Sequence, residues 1–135
     1  MFLLDTNVWL ELLLEQKDAE QVRRLMESAA SQQLALTDFS LHSIGVILMR
    51  LKKDKVFLDF LSDALEESGV RLLRLDTADL ARAPGVCSKF RLDFDDAYQY
   101  LAAEKYGMVL VSFDSDFDRT ERGRKTPATA IETER

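Results

Sequence analysis

The feature that most constrains this chain is an alternation. Short apolar runs each break off at Asp, Thr or Ser, and stretches of helical period follow. Phe2-Leu3-Leu4 stops at Asp5-Thr6-Asn7, and Leu34-Ala35-Leu36 stops at Thr37-Asp38. The run over 70–75 stops at Asp76-Thr77, and the run over 108–111 stops at Ser112. Runs this short read as buried strands. Asp, Thr and Asn directly after them are the side chains that cap a helix. Between the runs, Val22, Leu25, Met26, Ala29 and Ala30 recur at i, i+3, i+4, i+7 and i+8, the stripe of an amphipathic helix. Leu41, Ile44, Leu48 and Leu51 mark a second such helix, and Phe57, Leu58, Leu61 and Leu65 a third before Gly69. The pattern also predicts helices over 8–15 and 93–106, the latter stopped by Gly107. A short helix is predicted to start at Asp76-Thr77 and to end at Pro84-Gly85, and 128–131 reads as a last, edge strand.

Strands that alternate with helices need crossover connections, so they pair in parallel. Strands apolar throughout are covered on both faces. The fold class is therefore α/β: a three-layer α/β/α sandwich on a central parallel sheet. The 2–4 and 108–111 strands, the most apolar, are predicted adjacent at its centre. Five Gly, two Pro and no repeat or linker-like stretch in 135 residues predict a single domain over 1–135. Trp9, among Val8, Leu10 and Leu12, is read as core, and Cys87 as buried and inert.

Composition excludes several functions. Charged residues are 31% and hydrophobic residues 47%, which argues against wholesale disorder. One cysteine cannot form an internal disulfide or a cysteine-based zinc site. A lone histidine, His42, removes His-rich metal chemistry. The formal net charge of −6 argues against a protein that coats nucleic acid with surplus Lys and Arg. It leaves open an enzyme that meets nucleic acid through divalent ions. No apolar run approaches the ~20 residues of a membrane span, and no basic leader precedes an apolar core. The expected compartment is the cytoplasm.

In parallel α/β sheets, ligands bind outside the carboxyl ends of the strands, so the residues just after each strand carry the most information. Asp5 follows the first strand. Ser112-Phe113-Asp114-Ser115-Asp116 follows the last one, and the helix feeding that strand opens with Asp93-Phe94-Asp95-Asp96. A parallel connection brings the start of this helix to the edge where Asp114 emerges. Asp5, Asp96, Asp114 and Asp116 are thus predicted to converge. Like charges this close raise one another's pKa, and a divalent cation relieves the repulsion. An all-oxygen donor set favours Mg²⁺ or Mn²⁺ over zinc, and carboxylate-held metals are machinery for cutting phosphodiesters. Each acid alone also reads as a helix cap or a solvated turn residue; their coincidence at one edge favours a site. Arg50, Lys52, Lys53 and Lys55 form one basic run, and Arg119, Arg122, Arg124 and Lys125 another. Such runs are ordinarily solvated faces, and beside an acidic site they are also candidates to hold phosphates.

Three blocks resemble the PIN domain family, and within it the VapC-type ribonuclease toxins. They are Leu3-Leu4-Asp5-Thr6-Asn7-Val8; Asp96-Ala97-Tyr98 with Ala102-Ala103-Glu104 and Gly107; and the stretch from Val109 to Phe117 containing Ser112, Asp114 and Asp116. The resemblance implies a metal-dependent endoribonuclease. Asp5, Asp96 and Asp114 would be its catalytic carboxylates, and Asp5, Asp96, Asp114 and Asp116 would hold Mg²⁺ or Mn²⁺. It also implies an RNA substrate, an antitoxin partner, a homodimer and, for Asn7, either ordering of the acidic site or capping of the helix. One position departs. The family's second acid, a Glu in a pattern like S/T-x-x-T-x-x-E, falls on Ser43 in Thr37-Asp38-Phe39-Ser40-Leu41-His42-Ser43, with Asp38 or His42 as nearby compensation. The departure keeps a second function open: a catalytically degenerate PIN module that binds RNA or protein. Metal-dependent RNA cleavage abolished by a change at Asp5 separates the two. A dehalogenase-like phosphatase would carry a second Asp where Asn7 stands, and a response-regulator receiver would carry a Lys after the last strand, so neither pattern fits.

Overall fold

A computed structural model describes residues 1–134. Its sheet has four strands, β1 (Phe2–Leu4), β2 (Leu34–Thr37), β3 (Arg71–Leu73) and β4 (Val109–Val111), in the order β3-β2-β1-β4. Every pairing is parallel. The helices are α1 (Thr6–Leu13), α2 (Ala19–Ser28), α3 (Asp38–Arg50), α4 (Asp54–Phe60), α5 (Thr77–Leu80), α6 (Ala83–Phe90), α7 (Phe94–Tyr106) and α8 (Pro127–Glu134).

Alternation along each strand sends successive side chains to opposite faces, and here both faces are covered. Phe2, Leu4, Leu34, Leu36 and Val111 pack with Val8, Trp9, Val22, Leu25, Ile44 and Leu48 on one side. Leu3, Ala35, Leu73 and Leu110 pack with Val86, Phe90, Leu101 and Ala102 of α6 and α7 on the other. The result is the predicted α/β/α sandwich. Trp9 is buried, as its apolar neighbours suggested, with its ring 5.3 Å from that of Phe60. Cys87 is only half-buried.

Four local expectations change. β1 and β4 are adjacent and parallel, with Leu3 opposite Leu110, but β4 ends the strand order instead of sharing its centre. Its free side is closed by one bridge to Lys125, whose N–H donates to Leu110 O (2.8 Å) and whose carbonyl accepts from Ser112 N–H (2.9 Å). The 128–131 stretch is not an edge strand. It lies in α8, which packs on α2 and buries Ala130. Pro84-Gly85 does not end a helix either. Pro84 stands in the first turn of α6, where the missing N–H costs nothing, and the helix before it already stops at Leu80. Finally, α4 runs on into a π-helical stretch, Leu61–Glu67. Gly107 ends α7 in the left-handed region (φ 64°), as expected of a glycine C-cap.

Candidate functional site

Four chain segments meet at the carboxyl edge of β1, β2 and β4. The end of β4 fixes Asp5 from below, since Val111 O accepts the Asp5 N–H at 2.9 Å. Asp5 caps α1, its Oδ1 accepting the Thr6 N–H at 2.8 Å. Burial would make this carboxylate costly if it lacked partners. Two further donors reach it: Gln99 Nε2 to Oδ1 at 2.9 Å and Ser112 Oγ to Oδ2 at 2.7 Å. Burial, the largest influence, raises the Asp5 pKa above its ordinary value, and these hydrogen bonds pull the other way. A carboxylate has about four acceptor positions, so Asp5 keeps one uncommitted on Oδ2.

Beneath Asp5 lies a hydroxyl–amide network. Gln99 Nε2 also donates to Ser40 Oγ (2.8 Å), and Gln99 Oε1 accepts from Thr37 Oγ1 (2.8 Å). Thr6 Oγ1 donates to Ser40 Oγ (2.8 Å), while Thr37 caps α3 by accepting the Ser40 N–H (3.0 Å). Ser112 Oγ accepts the Asp114 N–H (3.0 Å) and an amide hydrogen of Asn7 (3.3 Å). Asn7 Oδ1 in turn accepts the Phe113 N–H (3.3 Å). Of its two readings, Asn7 therefore takes the ordering one: it ties α1 to the acidic turn, and the capping is done by Asp5.

Asp96, in the first turn of α7, completes the edge with Asp114 and Asp116, which flank the start of a 3₁₀ turn over Ser115–Arg119. Asp96, Asp114 and Asp116 each offer a carboxylate oxygen, and these oxygens lie within 4.8 Å of one another. The Asp96 pKa is pushed up to about 7, first by burial and then by the charges of Asp95, Asp114, Asp5 and Asp116. Asp5, Asp95, Asp96, Asp114, Gln99 and Ser43 line one cleft of about 350 Å³. Asp116 is held from outside by Arg119 at 3.0 Å, and Asp114 Oδ1 accepts the Asp116 N–H at 2.8 Å.

Other residues singled out in the sequence fall elsewhere. Asp38 accepts from the Tyr98 hydroxyl at 2.5 Å and pairs with Arg74 at 3.8 Å, so it does not take the place of the absent Glu. His42 lines a neighbouring groove with Arg50 and does not line the acidic cleft. The second basic run is largely structural. Arg119 donates to Phe90 O and Arg91 O, Arg122 to Ala103 O and Met108 O, and Arg124 to Ser112 O and Asp118. In the first run, Lys55 pairs with Asp59 at 2.9 Å. Sequence reasoning missed Gln99. Its signal was a lone amide among the Ala, Tyr and Leu residues of 97–103 in α7, one turn after Asp96 and so on the same side of the helix.

A parallel sheet with carboxylates gathered over the ends of neighbouring strands defines an α/β domain with an acidic carboxyl edge. Within that class the chain belongs to the PIN domain family, whose model matches residues 2–123. Solved structures share the fold, three of them as follows. A FitAB complex bound to an IR36 DNA fragment superposes with a TM-score of 0.81 at 21% identity, covering 95% of this chain and 96% of that one. A toxin–antitoxin complex from Klebsiella pneumoniae gives 0.75 at 17%, covering 94% and 98%. VapC20 from Mycobacterium tuberculosis, a toxin that cleaves the sarcin–ricin loop, gives 0.74 at 19%, covering 87% and 93%. No curated protein matches the chain in sequence.

Proposed function

We propose that residues 1–135 form one domain that hydrolyses RNA phosphodiester bonds with Mg²⁺ or Mn²⁺, as the toxin of a toxin–antitoxin pair. The observation that carries this reading is the meeting of the Asp96, Asp114 and Asp116 carboxylates, with Asp96 and Asp114 lining one cleft together with Asp5. The donor set is all oxygen, and Asp96 lies among like charges that raise its pKa. Both features fit a hard divalent cation. Asp96, Asp114 and Asp116 would hold it, with Asp5 adjoining. Such an ion supplies an activated water and neutralises charge developing on the phosphate.

The chain's own residues do the rest. Gln99 and Ser112 fix the Asp5 carboxylate, so its remaining acceptor position is set before substrate arrives. Asn7 and Ser112 hold the Asp114 turn in register with α1. With its pKa raised to about 7, Asp96 is partly protonated near neutral pH while the cleft is unneutralised, and entering positive charge favours its anion. The partners that accompany this reading are an antitoxin that covers the acidic groove and a second copy of the chain in a homodimer. The toxin–antitoxin complexes among the similar structures support an antitoxin.

One observation favours the second reading, a PIN module that binds without cutting: Ser43 lines the cleft where the resemblance places a Glu. One experiment separates them. Purified protein is incubated with RNA in Mn²⁺, in Mg²⁺ and in chelator, alongside Asp5→Asn and Asp96→Asn. Cleavage that needs the ion and is abolished by either change supports the nuclease. Intact RNA in every lane, with no Mn²⁺ uptake by calorimetry at millimolar concentration, supports the binding module.

A further inference from the structure

The acidic cleft does not end at Ser43. A groove of about 440 Å³ continues along α3, lined by Phe39, His42, Ser43, Val46, Ile47 and Arg50, and three of these residues also line the acidic cleft. The shared residues are Phe39, Ser43 and Ile47. Positions 39, 43, 46 and 50 recur at helical spacing on one side of α3, while Ile44 and Leu48 face the core. Val46 on this outer side is 49% exposed. The Phe39 ring packs at a tilt against Tyr98 (centroids 5.3 Å apart) and Phe94 (6.2 Å), an exposed phenylalanine one residue before Asp95. The groove is thus aromatic and aliphatic, and its charged lining group, the Arg50 guanidinium, is opposite in sign to the acids at its mouth.

We propose that this groove is a nucleoside subsite for single-stranded RNA: the base next to the cut stacks on Phe39, and the following phosphate meets Arg50. The proposal rests on the nuclease reading and deepens it. Single-stranded RNA is recognised by splaying bases onto aromatic rings, and stacking tolerates any base because each has a π face. Phosphate contacts, by contrast, set register along the strand. Here the two kinds of contact follow one another in the order a polynucleotide needs: acids that attract a cation and its phosphate, then an aromatic face, then a guanidinium. Ser43, with Phe39 and Ile47, lines both cavities. A Glu at this position would put a carboxylate in the passage, whereas a serine leaves it short and uncharged. The same residue that lacks a family acid therefore gives a base its way past α3.

The test compares an RNA oligonucleotide with versions carrying one abasic nucleotide, moved along the strand. The abasic site next to the cut is expected to raise KM about tenfold with kcat nearly unchanged, in line with the loss of one stacked base. Phe39→Ala should raise KM on intact RNA by a similar factor and be indifferent to that abasic site. Phe39→Trp should restore tight binding and Phe39→Leu should not, which separates stacking from packing. Arg50→Gln should lower the slope of log affinity against log salt by about 0.7, the share of one single-strand phosphate. Equal KM for intact and abasic RNA in a cleaving enzyme overturns the subsite and leaves the nuclease standing. If wild type cleaves nothing, anisotropy binding of the same oligonucleotides still decides: equal affinities overturn the subsite, and weaker abasic binding upholds it without catalysis. A dimer that becomes monomeric on Phe39→Ala in sedimentation, with RNA affinity unchanged, assigns the groove to a second copy and overturns the proposal.

Discussion

On the β1–β4 side of the cleft, Asp5 is held by three donors, and the groups that hold it are themselves held. On the α7 side, Asp96 faces Asp95, Asp114 and Asp116, and among the described residues no side-chain donor reaches its carboxylate. Burial raises the pKa of both acids. The compensation differs: hydrogen bonds stabilise the Asp5 anion, while among the described residues Asp96 has no such donor, and the Arg119 counter-charge pairs with its neighbour Asp116. A buried charge with satisfied acceptors costs little beyond its desolvation, whereas carboxylates pressed together without counter-charge store repulsion. The first wall is built to keep a shape, and the second is built to be completed by positive charge.

The largest expected effect breaks the second wall. Asp96→Asn should reduce RNA cleavage in Mn²⁺ at least 100-fold, about 2.7 kcal/mol of transition-state stabilisation. It should leave resistance to urea unchanged or higher, because it removes repulsion from the metal-free fold. Single-turnover cleavage and equilibrium unfolding on the same preparation check both halves. A loss of activity accompanied by a loss of stability would erase the distinction between the walls.

Breaking the first wall should give the reverse signature. Gln99→Ala strips partners from Asp5, Ser40 and Thr37 in a buried setting. It should destabilise the protein by about 2–3 kcal/mol, since each abandoned buried group costs more than a hydrogen bond gains. Urea unfolding measures it directly. Mn²⁺ affinity by calorimetry should change less than in Asp96→Asn, because Gln99 offers the ion no charge.

How far the sequence displayed these walls follows from what each is made of. The convergence of Asp5, Asp96 and Asp114 was legible because strand ends and helix starts fix the edge at which a residue emerges. The sheet itself was legible from Phe2-Leu3-Leu4, buried on both faces. The Gln99 network was not, because a hydroxyl–amide chain linking residues 6, 37, 40, 99 and 112 has no periodicity to reveal it. The 128–131 stretch misled for a related reason. Ala128-Thr129-Ala130-Ile131 is compatible with either period, and docking against α2 decides for helix. The Arg119–Lys125 run was read first as a solvated face, because charge in a sequence does not show the backbone carbonyls that take up the guanidinium hydrogens.

A third change sharpens the comparison by extending the crowded wall. Ser43→Glu adds a carboxylate to the cleft lined by Asp5, Asp95, Asp96 and Asp114. Mn²⁺ affinity should rise about tenfold, or about 1.4 kcal/mol, while the metal-free protein loses about 1 kcal/mol of stability to added repulsion. Calorimetry reads the first and unfolding in chelator the second. With RNA as substrate, KM should rise as well if the passage beside Ser43 is used by a base. Tighter ion binding with unchanged KM would count for the metal site and against the subsite.

The smallest effect is a slope against pH. The folded-state pKa of Asp96 is about 7 against an ordinary 3.8, so between these values the folded chain binds a proton that the unfolded chain has released. Stability in chelator should therefore fall as pH rises from about 4 to about 7, and level off above. Solvent reaches this half-buried group, so its share is discounted to about 1 kcal/mol. Asp5, also raised, adds a fall in the same direction. Asp79 runs the other way: the hydrogen bond from Lys105 lowers its pKa, and the stability it adds is lost only at acid pH below this window. The Asp96 share is isolated by repeating the series with Asp96→Asn, which should flatten the fall, and with excess Mn²⁺, which should stabilise wild type more at about pH 8 than at about pH 6 because the ion competes with the proton. Asp5 remains in the variant, so a small fall should persist there. Superimposable pH profiles for wild type and Asp96→Asn would mean that the α7 carboxylates are not pressed together, and the two walls would then be alike.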